Sequence, residues 1–281
     1  MPNSVSGANP AVWSKYIAKT YDASSLFVPL VNRSVEADLS SEGDVVHVQK
    51  PGNITVSNYT VGTDFAGQTV SLTDDTLTLD QKKAFMFTID DIEKALSQHD
   101  LIKMFIGRGA VAMAQTMDDR IITHTADALA ANKIGTTAAP VTLTQDNIYS
   151  YFVKAAQNLD EANIPADDRV FVIDPATKAL LLKSPDLIKA TAKGDSIIEK
   201  ATVGELAGFR VVVSNRYTTA SNTRTLMYFH RDFISLAVRL NPGKIEMFRD
   251  PNQFGTRVRS LAFYGSKVFN SAAGGHLVKS A

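Results

Sequence analysis

Leu, Phe and Ile side chains recur on alternate positions between residues 77 and 89. Leu77, Leu79, Phe85, Phe87 and Ile89 are odd-numbered, and Thr78, Asp80, Lys82, Ala84, Met86 and Thr88 fall between them. That period of two belongs to a strand whose successive side chains face opposite sides of a sheet. At roughly 3.3 Å per residue it predicts one strand of about 43 Å, as long as a compact domain is wide. Such a strand leaves the globule it starts from, and an arm of sheet implies a second copy of the chain to receive it. Upstream, 45–48 and 54–56 read as strands separated by Pro51-Gly52, a turn signal. Residues 58–69 are rich in Thr, Gly and aromatics, with Asp64 their one charge. Val70 and Leu72 are even-numbered whereas Leu77 and Leu79 are odd, which predicts a turn or bulge over Thr73-Asp74-Asp75-Thr76. The stretch 44–89 is thus a long irregular hairpin whose edges need a designed partner.

Helical spacing frames this hairpin. Asn9 and Pro10 open a short helix with Val12, Trp13, Tyr16, Ile17 and Tyr21 on one face. Residues 27–31 then read as extended, since Pro29 blocks further helix. This leading part packs either on its own domain or, as an arm, on a neighbouring copy. Asp90 with Glu93 resembles a capping box, giving a short helix through Ala95 and Leu96. A long helix follows from about 100 to 131. Ile102, Ile106, Ala110, Met113, Met117, Ile121 and Ala128 form its apolar stripe, and Arg108, Gln115, Asp119 and Thr123 the opposite face. Its predicted length is roughly 48 Å. Gly107 and Gly109 either kink it or admit a close neighbour.

After residue 140 the texture is regular α/β. Thr144 caps a helix carrying Ile148, Phe152, Ala155, Ala156 and Leu159, ending near Asn163. Residues 170–173 are a short buried strand, Asp174-Pro175 opens a helix through Leu180, Leu181 and Leu182, and 209–213 is a second strand. Residues 140–224 read as a separate domain. From 225 the chain is strand-rich again, over 225–229, 244–249 and 256–269, and the tail 271–281 is expected to be mobile.

Lys and Arg together number 29, as do Asp and Glu, so the formal net charge is zero over 281 residues. Tight electrostatic capture of nucleic acid or an acidic membrane needs clustered basic charge and is not expected. There is no cysteine, which excludes disulfides, thiolate metal sites and cysteine nucleophiles. No apolar stretch is long enough to span a bilayer as a helix.

Four acidic pairs, Asp74-Asp75, Asp90-Asp91, Asp118-Asp119 and Asp167-Asp168, are the candidates for a general acid–base dyad. Sequence neighbours diverge on a helix or strand, so each has a local reading: a turn, a helix N-terminus, a polar helix face and a loop. His47, His99, His124, His230 and His276 are scattered and make no metal-binding spacing. His124 lies on the apolar stripe, where a hydrogen-bonded buried histidine is the ordinary reading. The glycines at 107–109 and 208–210 lack phosphate-loop spacing, and Ser196, Ser214 and Ser235 lack a nucleophile-elbow context. Arg257 and Arg259 share one strand face, solvated or between subunits. No catalytic, cofactor-binding or metal-ligating residue is predicted, and no cofactor.

The order of parts, with five local motifs, resembles the major capsid protein of tailed bacteriophages, the Hong Kong 97-type fold. The motifs are the strand-to-helix entry 83–91, the helix segment 114–121, the strand-to-helix run 169–175, the stretch 204–214 and the C-terminal run 254–268. The resemblance implies an α+β fold in which 1–43 are an N-terminal arm and 44–84 an extended loop over the adjacent subunit. Residues 85–139 and 225–270 would be a peripheral domain built on a spine helix, 140–224 an axial domain, and 271–281 a flexible tail. It implies self-assembly into hexamers and pentamers of an icosahedral shell, or prohead, assembled in the host cytoplasm. The shell would enclose double-stranded DNA without reading its sequence. Expected partners are a separate scaffolding protein, because the arm starts almost at residue 1, a portal, and a decoration protein. The tip 52–76 contains no lysine, and Lys50, Lys82 and Lys83 sit nearer the base, so no covalent crosslinking is expected. The competing readings are a bacterial nanocompartment shell of the same fold and a hydrolase using scattered carboxylates.

Overall fold

The computed structural model describes residues 25–38, 45–52, 54–56, 58, 61–62, 67–91, 101–185, 204–220, 222–240, 246–251 and 253–280. The helix expected over 9–21 and the short one after Asp91 lie outside them. In chain order the strands are β1 (Val45–Pro51), β2 (Leu72–Thr78), β3 (Gln81–Asp90), β4 (Lys133–Ile134), β5 (Arg169–Ile173), β6 (Glu205–Leu206) and β7 (Phe209–Val213). They continue with β8 (Thr218–Ala220), β9 (Thr223–His230), β10 (Ile234–Leu240), β11 (Glu246–Arg249), β12 (Gly255–Val268) and β13 (Gly274–Ser280). Three helices accompany them: α1 (Leu101–Thr123), α2 (Ile148–Glu161) and α3 (Pro175–Leu182). Two sheets carry the cores. One runs β4-β13-β9-β5-β7-β6 with β8 on β9; in the other, β12 is flanked by β3 on one edge and by β10 and β11 on the other.

The first core follows from aromatic residues placed on short strands. Phe171 on β5 meets Phe152 of α2 with ring centroids 4.4 Å apart, and Phe209 and Tyr228 at 5.5 Å each. Strand β5 pairs parallel with β7, and α3 lies between them in sequence as the crossover that a parallel pair requires. Asp174 caps α3 by accepting the Thr177 N–H at 3.0 Å, with Pro175 at its start, as the Asp-Pro signal predicts. Helix α2 is opened by Asn147 rather than Thr144. The Asn147 carboxamide is turned back to accept the Thr144 N–H, so one turn of non-helical chain separates the two.

The second core lies between α1 and the sheet built on β12. The predicted stripe is the buried one: Ile106, Ala110, Met113, Met117 and Ile121 face inward, with Arg108, Gln115, Asp119 and Thr123 exposed. Gly109 admits the ring of Phe85, which an added Cβ would meet at 2.8 Å. The α-helix ends at Thr123, so its rod is about 35 Å long rather than 48 Å. A tighter 3-10 turn over His124–Asp127 replaces it, with Thr125 Oγ1–H bonded to the Ile122 carbonyl and His124 bonded to Asp127.

Residues 27–31 are not extended. Val28–Leu30 form a 3-10 turn, with Pro29 inside it where a missing N–H costs nothing. Phe27, Val28, Leu30 and Val31 bury themselves in the chain's own core. Asp118 of α1 holds them there. Its carboxylate accepts Ser25 Oγ–H at 2.5 Å and the N–H groups of Leu26 and Phe27 at 3.0 and 3.2 Å. The side chain read as part of a polar helix face is therefore only 2% exposed. Burial pushes the Asp118 carboxyl pKa up, and these hydrogen bonds oppose the shift.

The odd-position alternation holds from 77 to 89: Leu77, Leu79 and Ile89 are buried and Phe85 and Phe87 half-buried. The single long strand does not. It breaks at Leu79-Asp80, where the Asp80 N–H bonds the Thr78 carbonyl at 3.0 Å and the chain passes from one partner strand to another. Strand β12 carries Gly265 at that crossing, and any Cβ there would collide with the Thr78 carbonyl oxygen. No turn interrupts 73–76, because β2 pairs with β1 in unbroken register from Leu72 to Thr78. The parity change has another origin: Val70 and Leu72 are exposed apolar residues on the face opposite Leu77. Residues 54–56 are not a strand.

The tail forms a central strand. Strand β13 lies between β4 and β9, with Gly274 and Gly275 admitting the rings of Phe233 and Tyr228. Replacing Asp118 by Ala leaves two buried donors and one part-buried donor without their acceptor, so Asp118→Ala is expected to lower unfolding stability by about 2–4 kcal/mol in urea titration. A loss under 1 kcal/mol would show that residues 25–31 do not depend on this carboxylate.

Candidate functional site

Strands β1 and β2 form a two-stranded sheet of their own. A ribbon of two strands is marginal in water unless one face is packed. Here Val46, Leu77 and Leu79 pack on Ala237 and Phe269, which fixes the root. The described apolar residues of the outer face and beyond it are exposed: Ile54 is 72% exposed and Val56 94%, with Val61, Val70 and Leu72 also exposed. Aliphatic side chains gathered on a projecting element mark a surface that awaits a partner.

Electrostatics reinforce the root. Asp75 accepts from Lys50 at 2.6 Å and from Lys267 of β12 at 3.1 Å. Lys50 also donates to the Phe269 carbonyl, and both ammonium groups lie over the Phe269 ring at 5.3 and 5.8 Å. Hydrogen bonds from Lys50 and Lys267 hold the Asp75 carboxyl below the usual carboxylate range. The cluster is partly exposed, so its contribution is modest and it acts chiefly by fixing the angle at which the ribbon leaves.

The other predicted candidates are dispersed. Asp74 turns to the opposite ribbon face and meets His47 at 2.6 Å. Asp91 pairs with Arg249, and Asp119 with Arg216. Asp167 and Asp168 are exposed in a loop where Asp168 takes a positive φ of 53°. Arg257 pairs with Asp250 and Arg259 with Glu246, so the arginine face of β12 is neutralised within the chain. His124 contacts Asp127 at 2.7 Å and Ser266 at 2.8 Å. That order copies a hydrolase triad, but His124 and Ser266 are buried where α1 ends against β12, and the set ties those two elements together. His230 accepts the Asp232 N–H. Burial pushes the His276 pKa down, and its Nδ1 lies 2.8 Å from the Thr125 carbonyl. Among the described residues no group of three or more His, Cys, Asp or Glu could hold a metal ion.

One polar centre escaped sequence reasoning. Asp174 is buried and bonds Arg224 at 2.8 Å and Lys279 of β13 at 2.9 Å. Burial pushes its carboxyl up, but Thr177, Lys279 and Arg224 outweigh that and hold it below the usual range. The Asp-Pro dipeptide signals the cap, whereas nothing local signals partners fifty or more residues away.

These observations describe a chain whose distinctive surface is an apolar ribbon on a rigid root, with several of its charged groups in ion pairs that hold parts together. Among curated proteins none matches the sequence. A family model described as phage capsid protein matches residues 60–276. Of solved structures, a chain from Mycobacterium phage Che8 is 28% identical, with 90% of each chain covered and a TM-score of 0.74. The capsid of cyanophage P-SCSP1u is 19% identical, covering 91% of this chain and 88% of that one, at a TM-score of 0.73. A virus-like particle from Pyrococcus furiosus shares the fold at 12% identity, with 95% and 97% covered and a TM-score of 0.57. The chain belongs to the phage capsid protein family, as a structural coat protein of the virion with the Hong Kong 97-type fold.

Proposed function

We propose that this coat protein assembles as hexamers and pentamers into a closed icosahedral shell around double-stranded DNA, without reading its sequence. The observation that carries the reading is the projecting ribbon: its exposed aliphatic residues find no cover among the described residues, and copies packed side by side would supply it. In this reading 44–84 overlap the adjacent subunit. Residues 85–139 with 225–270 are the peripheral body on α1, and 140–224 the axial body, which here shares its sheet with β9 and β13. Zero net charge suits an inner wall that confines DNA without gripping it. A scaffolding protein, a portal and a decoration protein are the partners, host cytoplasm the place of assembly, and catalysis has no part.

Negative-stain microscopy of the expressed protein should show closed particles or ring-shaped capsomers, with nuclease-resistant DNA in shells taken from infected cells. A monodisperse monomer would refute the reading. The likeness to the Pyrococcus furiosus particle motivates a second reading, a nanocompartment shell of the same fold. Particles filled with an enzyme and free of DNA would favour it.

The lysine-free tip from 52 to 76 supports a shell held by buried area alone. Shells boiled in detergent should therefore run at the single-chain mass of 30.4 kDa, and a ladder of multimers would contradict this.

The Asp75 anchor adds a pH dependence. Its folded pKa lies below the unfolded one, so its contribution is complete above about pH 4 and is lost as pH falls through the depressed value. Protonation leaves Lys50 and Lys267 facing each other. Shells should dissociate at lower urea near pH 3 than near pH 5, and Asp75→Asn should lower the midpoint at neutral pH while flattening that difference. An unchanged Asp75→Asn profile would remove the anchor from the mechanism.

A further inference from the structure

Strand β3 has β12 along one edge, and among the described residues no strand lies along the other. Two hydrogen bonds show which backbone groups that open edge presents. The Asp91 N–H bonds the Phe254 carbonyl of the facing strand end. The carbonyl of Gly255, the partner of Asp90, instead accepts from Asp250 on the far side of β12. In an antiparallel pair these directions alternate from residue to residue. Odd-numbered residues of β3 therefore turn their N–H and C=O groups to β12, and Lys82, Ala84, Met86, Thr88 and Asp90 turn theirs outward. Side chains divide in the same way. Phe85 and Phe87 pack with Ile106 and Ala110 of α1. Lys82, Ala84, Met86 and Thr88 are exposed, Met86 at 60%.

A ten-residue strand with an open edge is a template for another strand. This edge is complementary to itself. Laid antiparallel on the same edge of a second copy and centred on Met86, it puts Met86 opposite Met86 and Ala84 opposite Thr88 on either side. The outward N–H and C=O groups of those residues then meet one another, and Lys82 comes opposite Asp90 at both ends. Moving the centre to Phe85 or Phe87 separates these opposite charges and leaves one end of the strand without a counterpart. Symmetry gives such a contact a place. Subunits around a hexamer or pentamer meet through unlike patches, whereas an icosahedral shell also has two-fold axes, where one patch meets itself.

We propose that the outer edge of β3 pairs with the β3 edge of a second copy across a two-fold axis, so that one sheet continues from capsomer to capsomer. The proposal rests on the shell reading and assigns a contact between its rings.

The chain has no cysteine, so introduced thiols report the register. Opposed residues in such a pair lie about 5.5 Å apart between Cα atoms, within disulfide reach. Mildly oxidised shells of Met86→Cys should run as two-chain species, lost on reduction, with no larger multimers. Thr88→Cys alone should give no such band, and Ala84→Cys combined with Thr88→Cys should restore it. In wild-type shells, amide exchange at Ala84, Met86 and Thr88 should be about tenfold slower than in dissociated subunits, with Phe85 and Phe87 protected in both. Normal shells that give no two-chain band from Met86→Cys and keep fast exchange at 84, 86 and 88 would overturn the pairing and leave the shell reading intact. Equal bands from Met86→Cys and Thr88→Cys would overturn it as chance collision. Slow exchange already present in dissociated subunits would do the same, because the chain itself would then cover the edge. A wild-type chain that forms no particles would defeat the shell reading and this contact together.

Discussion

Strand β12 is the constraint on which the rest of the architecture depends. Over its fourteen residues it pairs with β3 on one edge and with β11 and then β10 on the other, while Lys267 near its end fastens the ribbon through Asp75. A strand with partners on both edges satisfies its own backbone groups and sets the register of everything beside it. Gly255 and Gly265 mark the two places where another backbone comes too close for a side chain: Ile89 at one end, Thr78 at the other. The direction of the ribbon is thus inherited from a strand two hundred residues further along.

The chain divides its apolar residues between two uses. Those on α1, β5, β9 and β10 are buried and stabilise the fold. Those at 54, 56, 61, 70 and 72 are exposed, on a ribbon too thin to have an inside. Among the described residues nothing covers the second set, so the fold's cores and its exposed ribbon draw on separate groups of side chains. Rigid cores with an exposed apolar limb suit a structural coat protein.

Polar groups buried in this fold serve as ties. Asp118 attaches residues 25–27 to α1, Asp174 attaches β13 to the start of α3, and His124 attaches the end of α1 to Ser266. Each joins segments far apart in sequence, and each carboxylate or imidazole is nearly saturated with partners, which offsets the cost of leaving water. Their grouping with serines and aspartates is therefore a consequence of cross-linking the fold, and a triad-like order at Ser266 needs no reacting site to explain it.

Local pattern alone was enough for what depends on near neighbours. The alternation from 77 to 89, the apolar stripe of α1, the short strands β5 and β7 and the Asp174-Pro175 cap were legible because side-chain period and capping chemistry act over a few residues. The motifs at 83–91, 114–121, 169–175, 204–214 and 254–268 carried the family resemblance, and the lack of lysine in the ribbon was legible too. Tertiary structure decided where the long strand breaks, because the break at Leu79-Asp80 is a change of partner strand, and a pattern of two looks the same on either side of it. It also decided that Asp118 is buried and that the glycine-bearing tail is a central strand. Each of those outcomes is set by contacts with segments dozens of residues away or more, and a one-dimensional pattern holds no record of which distant segment will arrive.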